Sequence, residues 1–141
     1  MNIILFGFKG AGKTTIGKHM AQKLGMAFVD TDSLLAIAPY SSLRELYHAI
    51  GEQEFRRRES SVLRTLDSLR RTVISLGGGA VLDPSNVTYL QSLGKLIYIT
   101  VRLDTLKTRN VVFSEQTYHQ RLPVYESIPA ERIQSETYGF E

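Results

Sequence analysis

Residues 7–14 read Gly7-Phe8-Lys9-Gly10-Ala11-Gly12-Lys13-Thr14, a full match to G-x-x-x-x-G-K-[ST]. An apolar run, Ile3-Ile4-Leu5-Phe6, precedes the loop, and a helical pattern from Lys13 to Leu24 follows it. That strand–loop–helix context is what the motif requires. Glycine permits backbone angles and close approaches that a Cβ would block. The loop amides of Gly10, Ala11, Gly12, Lys13, Thr14 and Thr15 can then turn inward as an anion nest, with the positive end of the helix behind them. Lys13 is placed to reach the β- and γ-phosphates of a nucleotide, and the Thr14 hydroxyl to ligate Mg²⁺. The motif alone does not separate a kinase from an ATPase or a GTPase. The Asn-Lys-x-Asp signature of guanine readers is absent.

Outward from the loop, apolar runs alternate with helical patterns, which predicts an α/β chain with a parallel sheet. Strands are expected at Ala27–Val29 ending on Asp30, at Thr72–Leu76, at Leu96–Val101, and more weakly at Arg132–Gln134. Gly25 suits the residue after the first helix. Ser42-x-x-Glu45 reads as a capping box opening a helix that stops near Gly51. Gln53–Leu69 is expected as one helix, with Phe55, Val62, Leu63, Leu66 and Leu69 on its apolar face. Asp83-Pro84 reads as N-cap and first helical residue of a segment ending at Gly94. Asp104 is expected to cap another short helix.

Size and charge bound the rest. At 141 residues, 43% of them hydrophobic, the chain suits a single domain spanning 1–141. There are no cysteines, which excludes disulfides and thiolate metal sites. The net charge of +3 raises nucleic acid as a partner. Its densest basic run, Arg56-Arg57-Arg58, is broken at once by Glu59, and no nucleic-acid motif accompanies it. Basic side chains serving anionic small substrates are the plainer reading. Ile3–Phe6 has no basic leader and is too short to span a bilayer. A cytoplasmic protein with no membrane partner is expected.

Asp30-Thr31-Asp32 closes the second strand, at the sheet end where α/β sites form. In extended chain, residues two apart share a side, so both carboxylates are expected to face the phosphate crevice. Asp30 suits the shell of Mg²⁺, and Asp32 a substrate hydroxyl whose proton it accepts. Asp32 also reads as a helix N-cap. Arg56 offers a fork suited to a carboxylate, and Glu59, three residues on, can hold it from the same helical face. A solvated charged face is the alternative for Arg56, and the preferred reading for Arg57 and Arg58. Gly77-Gly78-Gly79 follows the third strand, either as a backbone surface for a small ligand or as a plain turn.

Four segments together resemble the shikimate kinase family: GFKGAGKTTIG (7–17), FVDTD (28–32), GEQEFRRRE (51–59) and SLGGGAV (75–81). The resemblance covers about residues 1–110. It implies a three-layer P-loop kinase fold with a five-stranded parallel sheet in the order 2-3-1-4-5. It implies phosphorylation of the shikimate 3-hydroxyl by ATP with Mg²⁺, a step of chorismate and aromatic amino-acid biosynthesis. It implies roles as well. Lys13 binds phosphate, Thr14 and Asp30 organise Mg²⁺, and Asp32 is the candidate base. Arg56, Gly77, Gly78 and Gly79 bind shikimate within a substrate region of about 31–60. Tyr118–Tyr125 resembles the family's arginine-bearing helix, making Arg121 a second carboxylate clamp. Arg109 sits where the family packs a basic residue near adenine. A monomer is expected.

The family also has a mobile lid carrying an arginine directed at the phosphates. Here only Asn110–Thr117 separate Arg109 from Tyr118, with no arginine among them, and the sequence ends at Glu141 where the family continues into a helix. Either the lid is shortened in this chain or the sequence is incomplete there. Lids exclude water and complete catalytic sets, so a short one implies binding with weakened turnover. Two rivals stay open: another small-metabolite kinase such as a gluconate kinase, and a lid-deficient nucleotide-binding module.

Overall fold

A computed structural model describes all residues, 1–141. Its sheet has five strands: β1 (Asn2–Phe6), β2 (Ala27–Asp30), β3 (Thr72–Ser75), β4 (Gly94–Thr100) and β5 (Glu131–Gln134). Every pairing is parallel, and the order is β2-β3-β1-β4-β5. β1 lies at the centre, with Leu5 opposite Ser75 on one side and Ile97 on the other. Being paired on both edges and covered on both faces, it reads as a continuous apolar run rather than an alternating one. Ile4, Leu5 and Phe6 are fully buried in a core of 24 residues.

Six α-helices join the strands: α1 (Lys13–Leu24), α2 (Leu43–Ile50), α3 (Glu52–Leu63), α4 (Pro84–Leu93), α5 (Leu103–Thr108) and α6 (Glu115–Ser127). α1 spans the residues its pattern predicts. Gly25 closes it in the left-handed conformation, its N–H bonded to Ala21 and Gln22 carbonyls. Asp83 caps α4 by accepting from Ser85 N–H at 2.9 Å, with Pro84 at the first helical position. Leu35, Leu46 and Phe55 make a small second apolar cluster under residues 31–60.

Three local expectations fail for identifiable reasons. The segment after Gln53 is not one helix: α3 ends at Leu63, and Arg64–Ser68 tightens into a 3-10 helix. Leu63, Leu66 and Leu69 recur every three residues, the repeat that aligns in a 3-10 turn, and Leu63 and Leu66 are buried there. Asp104 does not cap α5. Arg102 holds that position, and Asp104 accepts from the Thr105 N–H inside the first turn. The capping box is half formed. Ser42 accepts from Glu45 N–H at 3.1 Å, but Glu45 reaches back to Ser41, not Ser42.

Candidate active site

The loop between β1 and α1 is shaped by Gly10 and Gly12, whose φ angles of 87° and 92° favour glycine. No side chain caps α1, and its first turn holds no acidic residue. Its first amides therefore keep no internal acceptor. The Lys13 ammonium donates to the Gly7 carbonyl at 2.7 Å and to the Phe8 carbonyl at 2.9 Å. Burial lowers its pKa to about 8, against the opposing pull of Asp32 and Asp30. The Thr14 hydroxyl donates to Asp30 Oδ2 at 2.9 Å. Thr15, the third residue of α1, is exposed.

The acid pair reaches this crevice by a different route from the one its spacing predicts. β2 ends at Asp30, and Thr31–Leu34 turns into a 3-10 helix. Asp32 is therefore not in extended chain. The cap belongs to Asp30, whose Oδ1 accepts from Asp32 N–H at 3.0 Å. The turn nonetheless carries Asp32 to the face of Gly77, where a Cβ on that glycine would lie 2.5 Å from Asp32 Oδ1. Burial and the neighbouring Asp30 raise the Asp32 carboxyl above the usual range, opposed by Lys13, Arg56 and Lys9.

Gly77, Gly78 and Gly79 form a crowded turn, each packed against one of the predicted site residues. A Cβ on Gly77 would strike Asp32, one on Gly78 would come to 3.1 Å of Arg121 Nη1, and one on Gly79 would overlap the Arg56 guanidinium. None of the three has a left-handed φ. Close approach is the reason for glycine here. Arg56 donates to Glu59 Oε1 at 2.9 Å, the partnership the i,i+3 spacing predicts. Glu59 is 4% exposed, and burial raises its carboxyl above the ordinary range despite Arg56. Arg56 Nε is buried with no acceptor.

Asp30, Asp32, Lys13, Arg56, Arg121 and the three glycines thus gather at the carboxyl ends of β1, β2 and β3. Arg109 lies at the loop's other side. It follows the last residue of α5 and donates to the Gly10 carbonyl at 2.7 Å and to Ser135 Oγ at 3.0 Å. Residues 110–114 cross between α5 and α6, and Phe113 stacks edge-on against Phe8 of the loop.

Three contributors escaped sequence reasoning. Thr31 Oγ1 accepts from the Gly77 N–H at 3.3 Å. The Tyr125 hydroxyl donates to the Gly78 carbonyl. Ser135 braces Arg109. Tyr125 carried a signal, because it ends the Pro-x-Tyr of α6. Thr31 and Ser135 carried none.

The thiol-free oxygen donors, Thr14 and Asp30, suit Mg²⁺, which keeps several waters and takes other ligands from phosphates. Their direct hydrogen bond places both oxygens within reach of one ion. The family model for shikimate kinase matches residues 9–136. A shikimate kinase of Syntrophus aciditrophicus is 36% identical over 136 residues, covering 96% of this chain and 69% of that protein. One of Synechococcus elongatus is 42% identical over 109 residues, covering 77% of this chain and 57% of that protein. The chain thus spans between about half and two thirds of these relatives' length. Among solved structures, the shikimate kinase of Acinetobacter baumannii in complex with shikimate superposes with a TM-score of 0.78 at 30% identity, over 94% of this chain and 82% of that one. Sheet order, phosphate loop and these likenesses agree, and the chain belongs to the shikimate kinase family.

Proposed function

We propose that this chain transfers the γ-phosphoryl group of ATP to the 3-hydroxyl of shikimate. One observation carries the reading: the glycine turn is packed against Asp32, Arg121 and Arg56, one residue per glycine. Two guanidinium groups and a carboxylate around a bare backbone surface suit a small, hydroxylated carboxylic acid. The buried, unpartnered Nε of Arg56 adds to this. An unsatisfied buried donor costs about 1–3 kcal/mol, and a guest carboxylate would supply its acceptor.

In this reading the substrate carboxylate lies between Arg56 and Arg121. Its ring hydroxyls meet Asp32 and the Gly77–Gly79 backbone. The ATP phosphates lie on the amides of Gly10 to Thr15, with Lys13 turned from the Gly7 and Phe8 carbonyls toward them, and the base lies near Arg109. Mg²⁺, held by Thr14 and Asp30, would neutralise charge on the β- and γ-phosphates. The 3-hydroxyl oxygen bonds to the γ-phosphorus as the bond to the bridging oxygen breaks. ADP leaves with that oxygen, and Asp32 accepts the hydroxyl proton. Asp32's raised affinity for a proton suits that role. Positioning and electrostatics supply most of the acceleration.

We further infer that residues 1–141 act as one domain and as a monomer, with the substrate bound by the region of about 31–60. A short, arginine-free crossing at 110–114 leaves the reacting phosphate less shielded from water, so turnover is expected to be weak. An ADP-release assay with shikimate, gluconate and other hydroxy acids, with the product located by phosphorus NMR, tests the reading. Shikimate 3-phosphate is the expected product. Tight ATP binding with no transfer to any acceptor would favour a nucleotide-binding module instead.

A further inference from the structure

Phosphoryl transfer needs positive charge at the γ-phosphate as it moves, and most cations around this crevice are already engaged. Arg56 is tied to Glu59, and Arg109 to the Gly10 carbonyl and Ser135. Arg121 lies against Gly78, on the substrate side. The crossing at 110–114 (NVVFS) holds no Lys or Arg, and Glu115, the first residue of α6, pairs with Lys107 at 2.7 Å.

Besides Arg121, one further cation at the crevice, Lys9, is held in no ion pair. It sits at the exposed tip of the phosphate loop. The loop holds it on the substrate side. Its backbone nitrogen lies 3.6 Å from where a Cβ on Gly78 would stand, the same point that Arg121 Nη1 approaches to 3.1 Å. Its charge is felt at the Asp32 carboxylate. It therefore stands between the loop amides and the acceptor pocket, on a long flexible stem with three donors.

We propose that Lys9 is a phosphate-directed cation whose ammonium contacts the γ-phosphoryl group during transfer to the acceptor. This rests on the phosphotransfer reading of the site. Lys9 takes no part in the proton transfer. It stabilises charge while the acceptor oxygen bonds to phosphorus and the bridging oxygen departs with ADP. Lys13, by contrast, is buried at the loop's base and belongs to the β/γ junction.

The test compares the intact chain with Lys9→Met and Lys9→Arg, by calorimetry with MgATP and MgADP and by shikimate turnover. A γ-phosphate contact predicts that Lys9→Met weakens ATP binding about tenfold, the low end for a hydrogen bond to a charged group. ADP binding should stay unchanged, and Lys9→Arg should restore the preference. Turnover by Lys9→Met should drop about 10²-fold with the KM for shikimate unchanged. An ATP-to-ADP affinity ratio equal in the parent and Lys9→Met would overturn the assignment and leave Lys9 a solvated side chain. Absence of shikimate turnover in the parent would sink the proposed function alone, because the affinity ratio still decides the role of Lys9.

Discussion

The Arg56 guanidinium occupies the space that a side chain on Gly79 would need. Arg56 is in turn held by the buried Glu59 at 2.9 Å. A backbone position with no side chain and a tethered arginine thus define one wall of the proposed acceptor pocket. Gly79 has a φ of −100°, which alanine adopts freely, so Gly79→Ala should fold. The added methyl should instead displace Arg56, the movable partner. The expected outcome is a KM for shikimate raised at least tenfold, an unchanged KM for ATP, and a melting temperature below that of the parent, because the displaced guanidinium leaves the buried Glu59 without its partner. Parallel loss of affinity for both substrates would show that Gly79 serves the loop as a whole.

Lys13 gives a pH signature. Its pKa of about 8 in the free protein means that it loses its proton above that pH. Bound phosphates favour the charged form and raise that pKa. The kcat/KM for ATP, which reports the free enzyme, should therefore fall as pH rises beyond about 8. The kcat, which reports the ternary complex, should fall only at higher pH. Profiles of both parameters check this. A kcat/KM for ATP that stays flat well above pH 8 would place Lys13 in a less buried setting than the one described.

Arg109 should act on the nucleotide alone. It bonds the Gly10 carbonyl across 99 positions of sequence and leans on Ser135. Both bonds lie within the protein, so the residue acts on the nucleotide through the shape of the loop. Arg109→Ala should therefore raise the KM for ATP at least tenfold and leave that for shikimate within twofold. A matching rise for shikimate would mean that the residue supports the fold rather than the nucleotide.

Legibility followed the range of the interactions. The phosphate loop was readable because its glycines and Lys13 do their work within eight consecutive residues. The Arg56–Glu59 pair was readable because helical spacing alone brings the two together. The Gly77–Gly79 turn showed its importance but not its cause, since flexibility and close packing look identical in sequence. Asp32 was found for a reason that does not hold: the extended spacing that flagged it is replaced by a 3-10 turn capped by Asp30. Bonds such as Tyr125 to Gly78 join residues 47 positions apart and leave no local pattern. The end of α3 was misplaced because a three-residue leucine repeat fits a helix face nearly as well as the 3-10 turn that forms.

Asp32 joins chemistry to stability. Its carboxyl is raised above the ordinary range by burial and by Asp30. In the pH window between its unfolded and folded values, the folded chain keeps a proton that the unfolded chain loses. Stability is therefore complete below the unfolded value and declines as pH rises through the folded one. Asn at this position carries no charge to desolvate and escapes that decline. At pH 8, Asp32→Asn should match or exceed the melting temperature of the parent, with the difference shrinking as pH falls toward the ordinary carboxylate range. Turnover should meanwhile drop by about 10²–10⁴, the usual contribution of a positioned base. Thermal unfolding of both proteins at pH 8 and pH 4, beside steady-state rates, checks both halves. A lower melting temperature for the variant at pH 8 would mean that Lys13 and Arg56 hold the charged carboxylate more strongly than burial opposes it.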